Sequence, residues 1–299
     1  MSAALIQAIA SGIVTGCVYA LVALSLVIIY KSTDIINFAG GELVMIGGYA
    51  AMLGLVYFEA PYWAAMLLAI GVAALIGAAF DRGIVDRVLG RSVPGQSTLV
   101  ALVITTVGLS YVLKGGVRVI PYTEEVRRLP PLFSGDPLFI GPIILQRQDV
   151  AIVVITVLLL IGWYLFFQYT MLGKALRATS ENPRAAALAG IPVRTMRMAI
   201  WAIAAMSAAI AGVLLGPKLL MTPDMGLIVI LAFAAAIVGG FQNLLGCIVG
   251  GIVLGVVQNL VGLYVSSQAI AVTPFVVIML VLVLRPQGLF GGAMRVRKV

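Results

Sequence analysis

Apolar residues in this chain run on in long stretches instead of alternating with polar ones. Nine such stretches stand out: Leu5–Tyr30, Gly41–Tyr57, Tyr62–Phe80, Ser97–Lys114, Val150–Tyr169, Ala199–Gly216, Gly226–Gly240, Gly246–Tyr264 and Ile270–Leu284. A helix rises ~1.5 Å per residue and the hydrocarbon of a bilayer is ~30 Å thick, so a crossing takes about 20 residues. Helices satisfy their own backbone hydrogen bonds in lipid, and the runs are far too long for barrel strands. The pattern therefore predicts an all-α polytopic membrane protein. About nine transmembrane helices (eight to ten) form one bundle, and residues 1–299 form one transmembrane domain. The second and seventh stretches are short and rich in glycine, so either reads equally as a re-entrant or broken helix.

Composition agrees with the pattern. Hydrophobic residues make up 62% of the 299 and charged residues 10%, and mean hydropathy is +1.15. Soluble domains carry about 25% charged residues. The formal charge of +8 reflects loop lysines and arginines rather than a nucleic-acid surface, because no basic stripe is interleaved with aromatics. Placing the carboxyl-terminal Arg295, Arg297 and Lys298 in the cytoplasm puts the amino terminus outside. Most basic residues then face the cytoplasm, as membrane proteins prefer. Those left outside are Lys218 and a group in one long loop: Lys114, Arg118, Arg127, Arg128 and Arg147. No positive charge precedes Lys31, so the first stretch reads as a span and not as a cleavable signal.

Two connecting segments are long. Residues 115–149 contain Pro121, Pro130, Pro131, Pro137 and Pro142 with Glu124, Glu125 and Asp136. This is loop chemistry, placed on the outer side and suited to a periplasmic partner. Residues 170–198 face the cytoplasm and contain a short helix with both ends marked. Asn182 is a preferred N-cap and Pro183 suits the first helical position. Ala185, Ala186 and Ala187 have the best helix propensity, Gly190 can take the left-handed C′ conformation, and Pro192 stops continuation. A helix of about seven residues is marginal alone in water. Its methyl-covered side reads either as a docking surface for a cytoplasmic protein or as a loop helix resting on the bundle.

A third polar interruption follows the first span: Asn37-Phe38-Ala39-Gly40-Gly41-Glu42. Glu42 opens a helix, where the dipole favours a carboxylate by about 0.3–1 kcal/mol. Deeper in the membrane a charge would cost about 2.5–3.5 kcal/mol and would need a role. Late in the chain, Gly246, Gly250, Gly251 and Gly255 form two overlapping small-xxx-small patterns, read as tight helix packing. The cysteines, Cys17 and Cys247, lie in apolar runs and read as small core residues.

Read together, these segments resemble the permease subunits of branched-chain amino acid ABC importers. The residues that carry the likeness are Ile36-Asn37-Phe38-Ala39 with Gly41-Glu42, and Gly173…Arg177-Ala178…Asn182…Ala185-Ala186…Leu188…Gly190-Ile191. Gly239-Gly240…Gly246…Gly250-Gly251 and Arg285-Pro286-Gln287-Gly288-Leu289-Phe290-Gly291 continue it. The resemblance is to the H-type permease of the high-affinity leucine/isoleucine/valine system, and the family more often has histidine where Gly40 stands. The resemblance implies a coupling helix engaging an ATPase through Arg177, Glu181, Asn182, Ala185, Ala186, Leu188 and Gly190. It implies a translocation path with Asn37, Phe38 and Glu42 as candidates. The partners it implies are a second permease subunit (a heterodimer, or a homodimer), two ABC ATPase subunits binding ATP and magnesium, a periplasmic substrate-binding protein and membrane lipid. The location it implies is the bacterial inner membrane.

The residues themselves add limits. No Gly-x-x-x-x-Gly-Lys-Ser/Thr loop occurs, so the chain does not bind ATP by that route. There is no histidine, and no nucleophile–base pair or metal-ligand spacing can be assembled, so no catalytic or metal site is expected. The last spans carry no Asp, Glu, Lys or Arg between Leu227 and Leu284, which argues against a proton relay. Alternatives are a permease of the same family for urea, short amides or other amino acids, and an ion-coupled secondary transporter.

Overall fold

Each apolar stretch is helical in the computed structural model, which describes residues 2–90, 98–120, 128–141, 143–241 and 243–290. The first helices are α1 (Ser2–Thr33), α2 (Gly40–Met52), α3 (Tyr62–Phe80), α4 (Asp86–Gly90) and α5 (Thr98–Val119). A short hairpin of β1 (Leu138–Ile140) and β2 (Ile143–Leu145) follows, paired antiparallel. The rest is α6 (Arg147–Tyr169), α7 (Met171–Glu181), α8 (Pro183–Leu188), α9 (Val193–Leu215), α10 (Ile228–Gly239), α11 (Leu244–Tyr264) and α12 (Ala269–Leu284). A π-helical turn, Leu53–Tyr57, extends α2, and another, Asp81–Val85, joins α3 to α4.

Among the described residues, seven helices are long and apolar enough to cross a membrane. Of the two stretches expected to be short, the first gains length from its π turn and spans Gly40–Tyr57. The second, Met225–Gly239, stays shorter, as does Ala269–Leu284. The loop expected over residues 115–149 is shorter than its sequence suggests, because α5 runs on to Val119 and α6 begins at Arg147. Pro121, Glu124, Glu125, Arg127, Pro142, Arg295, Arg297 and Lys298 lie outside the described residues.

Two compact units interleave along the chain: Met1–Val27, Phe133–Thr156 and Ile230–Val299 form one, Ile28–Leu132 and Val157–Val229 the other. In the second unit α9 is the hub, packing against both α2 and α3. Small residues permit this. A methyl on Gly47 would overlap Ala209, one on Gly212 would overlap the Val44 carbonyl, and one on Gly77 would fall 2.6 Å from the Trp201 carbonyl oxygen. Close backbone approach is how helices associate without a hydrophobic driving force. Trp201 is fully buried and meets Phe80 edge-on, centroids 5.1 Å apart.

The first unit is built around α11, whose two small-residue patterns turn out to face two ways. Gly246 and Gly250 meet Gly239 and Ala235 of α10, whereas Gly251 and Gly255 meet Gly16 and Gly12 of α1. Where Pro274 interrupts α12, its missing amide hydrogen leaves the Ile270 carbonyl unpaired within the helix. The buried Gln258 of α11 donates its side-chain amide to that carbonyl at 3.2 Å. The Arg285–Phe290 segment folds back on the end of α10: Gly288 has a φ of +79°, and Leu289 donates to the Val238 carbonyl at 2.8 Å.

Candidate functional site

The segment after α6 holds two helices where one was expected. Thr170 starts α7, its hydroxyl accepting from the Gly173 amide at 2.9 Å. Gly173 lies so close to the Phe166 carbonyl that no side chain fits there. Gly173, Leu176 and Thr179 bury one face of α7, leaving Met171, Leu172 and Lys174 exposed. Arg177 donates to the Gln168 side chain at 2.8 Å, so it ties α7 back to α6. Glu181 is the exposed last residue of α7.

The punctuation of α8 is as the residues predict. The Asn182 Oδ1 accepts from the Ala185 amide at 3.0 Å, and Pro183 occupies the first helical position. At the other end Gly190 takes a φ of +80°. Its amide bonds the Ala187 carbonyl and the Ile191 amide bonds the Ala186 carbonyl, both at 3.0 Å. This is the Schellman arrangement, in which a left-handed residue closes the helix. The exposures divide the alanines. Ala186 is 5% exposed and is the residue that seats α8, which contacts α7 and α9. Ala185, Ala187 and Leu188 point away from the chain, and Leu188 is 91% exposed. Leu188 is thus an exposed leucine on a turn closed at both ends.

The candidates for the path lie between α1 and α2. Asn37 is buried, and its Oδ1 accepts from the Ala39 amide at 3.0 Å, shaping the turn that opens α2. The Phe38 side chain is partly exposed, while its amide donates to the Thr106 hydroxyl of α5 at 3.3 Å. Thr106 also bonds the Ile36 carbonyl, so α5 holds this turn, a role the sequence gives no hint of. Glu42 sits in the first turn of α2. Its Oε1 would lie 2.9 Å from a methyl on Gly226, and its Oε2 is buried with no hydrogen-bond partner. A buried acceptor without a partner is uncommon and calls for an explanation. Thus Asn37, Phe38 and Glu42 lie together at the start of α2, apart in sequence from the capped turn of α8, and both segments belong to the unit built around α9.

Sequence reasoning missed one cluster. Asp81 on the π turn and Asp86 on α4 meet Arg194 and Arg197 in the first two turns of α9. Arg197 donates to both acids, to Asp81 at 2.7 Å and to Asp86 at 2.7 Å, and Arg194 donates to Asp86 at 2.9 Å. Asp86 and Arg194 make a second, shorter contact. The signal was present as two acids five apart and two arginines three apart, each at a helix end.

Comparison with known proteins supplies the family. Residues 8–284 match the family model described as branched-chain amino acid transport system / permease component. The chain is 31% identical to the high-affinity branched-chain amino acid transport system permease protein BraD of Pseudomonas aeruginosa, covering 96% of this chain and 95% of BraD. It is 32% identical to LivH of Salmonella typhimurium over the same shares of the two chains. To the probable LivH of Methanocaldococcus jannaschii it is 31% identical over 83% of this chain and 78% of that protein. Among solved structures, PsaBC from Streptococcus pneumoniae in complex with Fab has a similar fold. Its TM-score is 0.50 and its identity 15%, with 92% of this chain and 90% of that chain covered.

Proposed function

The chain belongs to the family of branched-chain amino acid transport system permease components, and from that premise we propose that it is the membrane half of an ATP-driven importer of branched-chain amino acids. It is a multi-pass membrane permease and not an enzyme. In this reading it resides in the bacterial inner membrane and pairs with a second permease. It receives substrate from a periplasmic binding protein and takes its energy from two ABC ATPases that bind ATP and magnesium.

One observation carries the reading: α8 is a six-residue helix, closed at both ends by its own residues, that extends Leu188 away from the chain. A rigid apolar point of this kind suits a groove on a separate protein, since burying a leucine gives about 1.5–3 kcal/mol. Ala185, Ala187 and Leu188 form the contact, Ala186 seats the helix, and Asn182 and Gly190 hold its ends. Arg177 and Glu181 belong to α7, which leads into α8. When the ATPases close on ATP, displacement of α8 reorients the permease. The turn with Asn37, Phe38 and Glu42 lines the route, a few polar groups in apolar surroundings, as suits small amino acids with aliphatic side chains.

The test is Leu188→Asp in the assembled transporter. Membrane insertion should be unchanged, while the amount of ATPase co-purifying with the permease and substrate uptake both fall. Undiminished ATPase binding removes the docking role. Competition of labelled leucine uptake by isoleucine and valine, against urea and short amides, tests the substrate class.

A further inference from the structure

We infer that Asp81, Asp86, Arg194 and Arg197 form a charged joint that carries displacement of α8 through the start of α9 into α3. This rests on α8 being the docking helix. Only Gly190, Ile191 and Pro192 separate α8 and its C-cap from α9, and Pro192 is the N-cap of α9. The start of α9 is therefore the part of the bundle that follows α8 along the chain, and its first two turns carry Arg194 and Arg197.

Three observations make this a joint and not a decorated surface. The Asp81 side chain is 2% exposed and that of Arg197 14%. A buried charge pair is weak evidence for stability, because desolvation offsets most of its attraction. Arg197 bridges two carboxylates, one in a π turn and one beyond it. The joint thus holds both ends of the irregular turn that links α3 to α4, and π turns often mark functional positions. The cluster also lines an open cleft of about 240 Å³ with Thr195 and Met198. On that side the start of α9 is held to Asp81 and Asp86 by hydrogen-bonded charges. Such a link transmits a pull while permitting a small change of angle.

A single neutralisation would strand a buried charge, so the test removes both. In the assembled transporter, Asp81→Asn with Arg197→Gln is expected to leave ATPase co-purification intact. The number of substrate molecules moved per ATP hydrolysed should fall about tenfold, a change of ~1.4 kcal/mol in coupling. Arg197→Lys keeps the charge but loses the fork that reaches both acids; it should assemble normally and give a smaller fall in the same ratio. An unchanged ratio in both variants overturns the joint. Loss of ATPase binding in the double variant overturns it too, because the cluster would then belong to docking. Failure of the docking reading is separate: it appears as undiminished ATPase binding in Leu188→Asp.

Discussion

The junction of α9 with α3 and the junction of α11 with α1 solve the same packing problem with different materials. Both bring backbones together over glycine: Gly77 against Trp201 in one, Gly12 and Gly16 against Gly251 and Gly255 in the other. Only the first continues into charge, where Asp81 and Asp86 meet Arg194 and Arg197. A glycine seam is steep, since any added atom overlaps backbone, and it has one position. A charged end is directional but can turn about its hydrogen bonds. The seam therefore suits parts that stay together, and the charged end suits parts that must move while remaining attached.

Substitutions that tell the two junctions apart can be ranked by effect. Arg197→Ala leaves Asp81 buried and unpaired, a cost of about 3–5 kcal/mol. Thermal unfolding in detergent should show it, and adding Asp81→Asn should restore most of the loss. Gly255→Val in the glycine seam should cost about 1–3 kcal/mol through overpacking. No second substitution of charge should repair it, and a rescue of that kind would erase the distinction. Gln258→Leu removes the amide that serves the Ile270 carbonyl beside Pro274. Hydrogen bonds between membrane helices average about 0.6 kcal/mol, so a melting shift much smaller than that of Gly255→Val is expected. The smallest effect belongs to the Lys114–Asp224 pair, half-buried on the lysine side and exposed on the aspartate side. The Lys114 hydrogen bond, together with its charge, holds the Asp224 carboxyl below the ordinary carboxylate range. A depressed folded-state value stabilises above the ordinary range and is lost as pH falls through the lower one. Any stability difference between this protein and Asp224→Asn should therefore persist at neutral pH and vanish only in strong acid.

The spans were legible because lipid leaves a helix as the only way for a long apolar run to satisfy its backbone. The caps of α8 were legible because Asn182, Pro183 and Gly190 act within a few residues of their own positions. α7 was not foreseen: Leu172 and Leu176 alternate with Lys174, Arg177 and Glu181, and a helix lying between two spans has no long apolar run to announce it. That Ala186 faces inward while its neighbours face out depends on α7 and α9, which local spacing does not reveal. The charged joint was hidden for the same reason, as Asp81 and Arg197 are 116 positions apart. The glycines of α11 were visible as a pattern, but which of them meets α10 and which meets α1 is a matter of tertiary packing.

The two-sided α11 leaves no slack for rolling. A turn of its axis in either direction would drive backbone into backbone on one flank while opening a gap on the other. The amino-terminal part of α1, α10 and α11 therefore behave as one laminate. Whatever shape change accompanies a transport cycle has to be absorbed at the rim of that slab, and a pair of spectroscopic labels placed inside it should report a constant distance throughout.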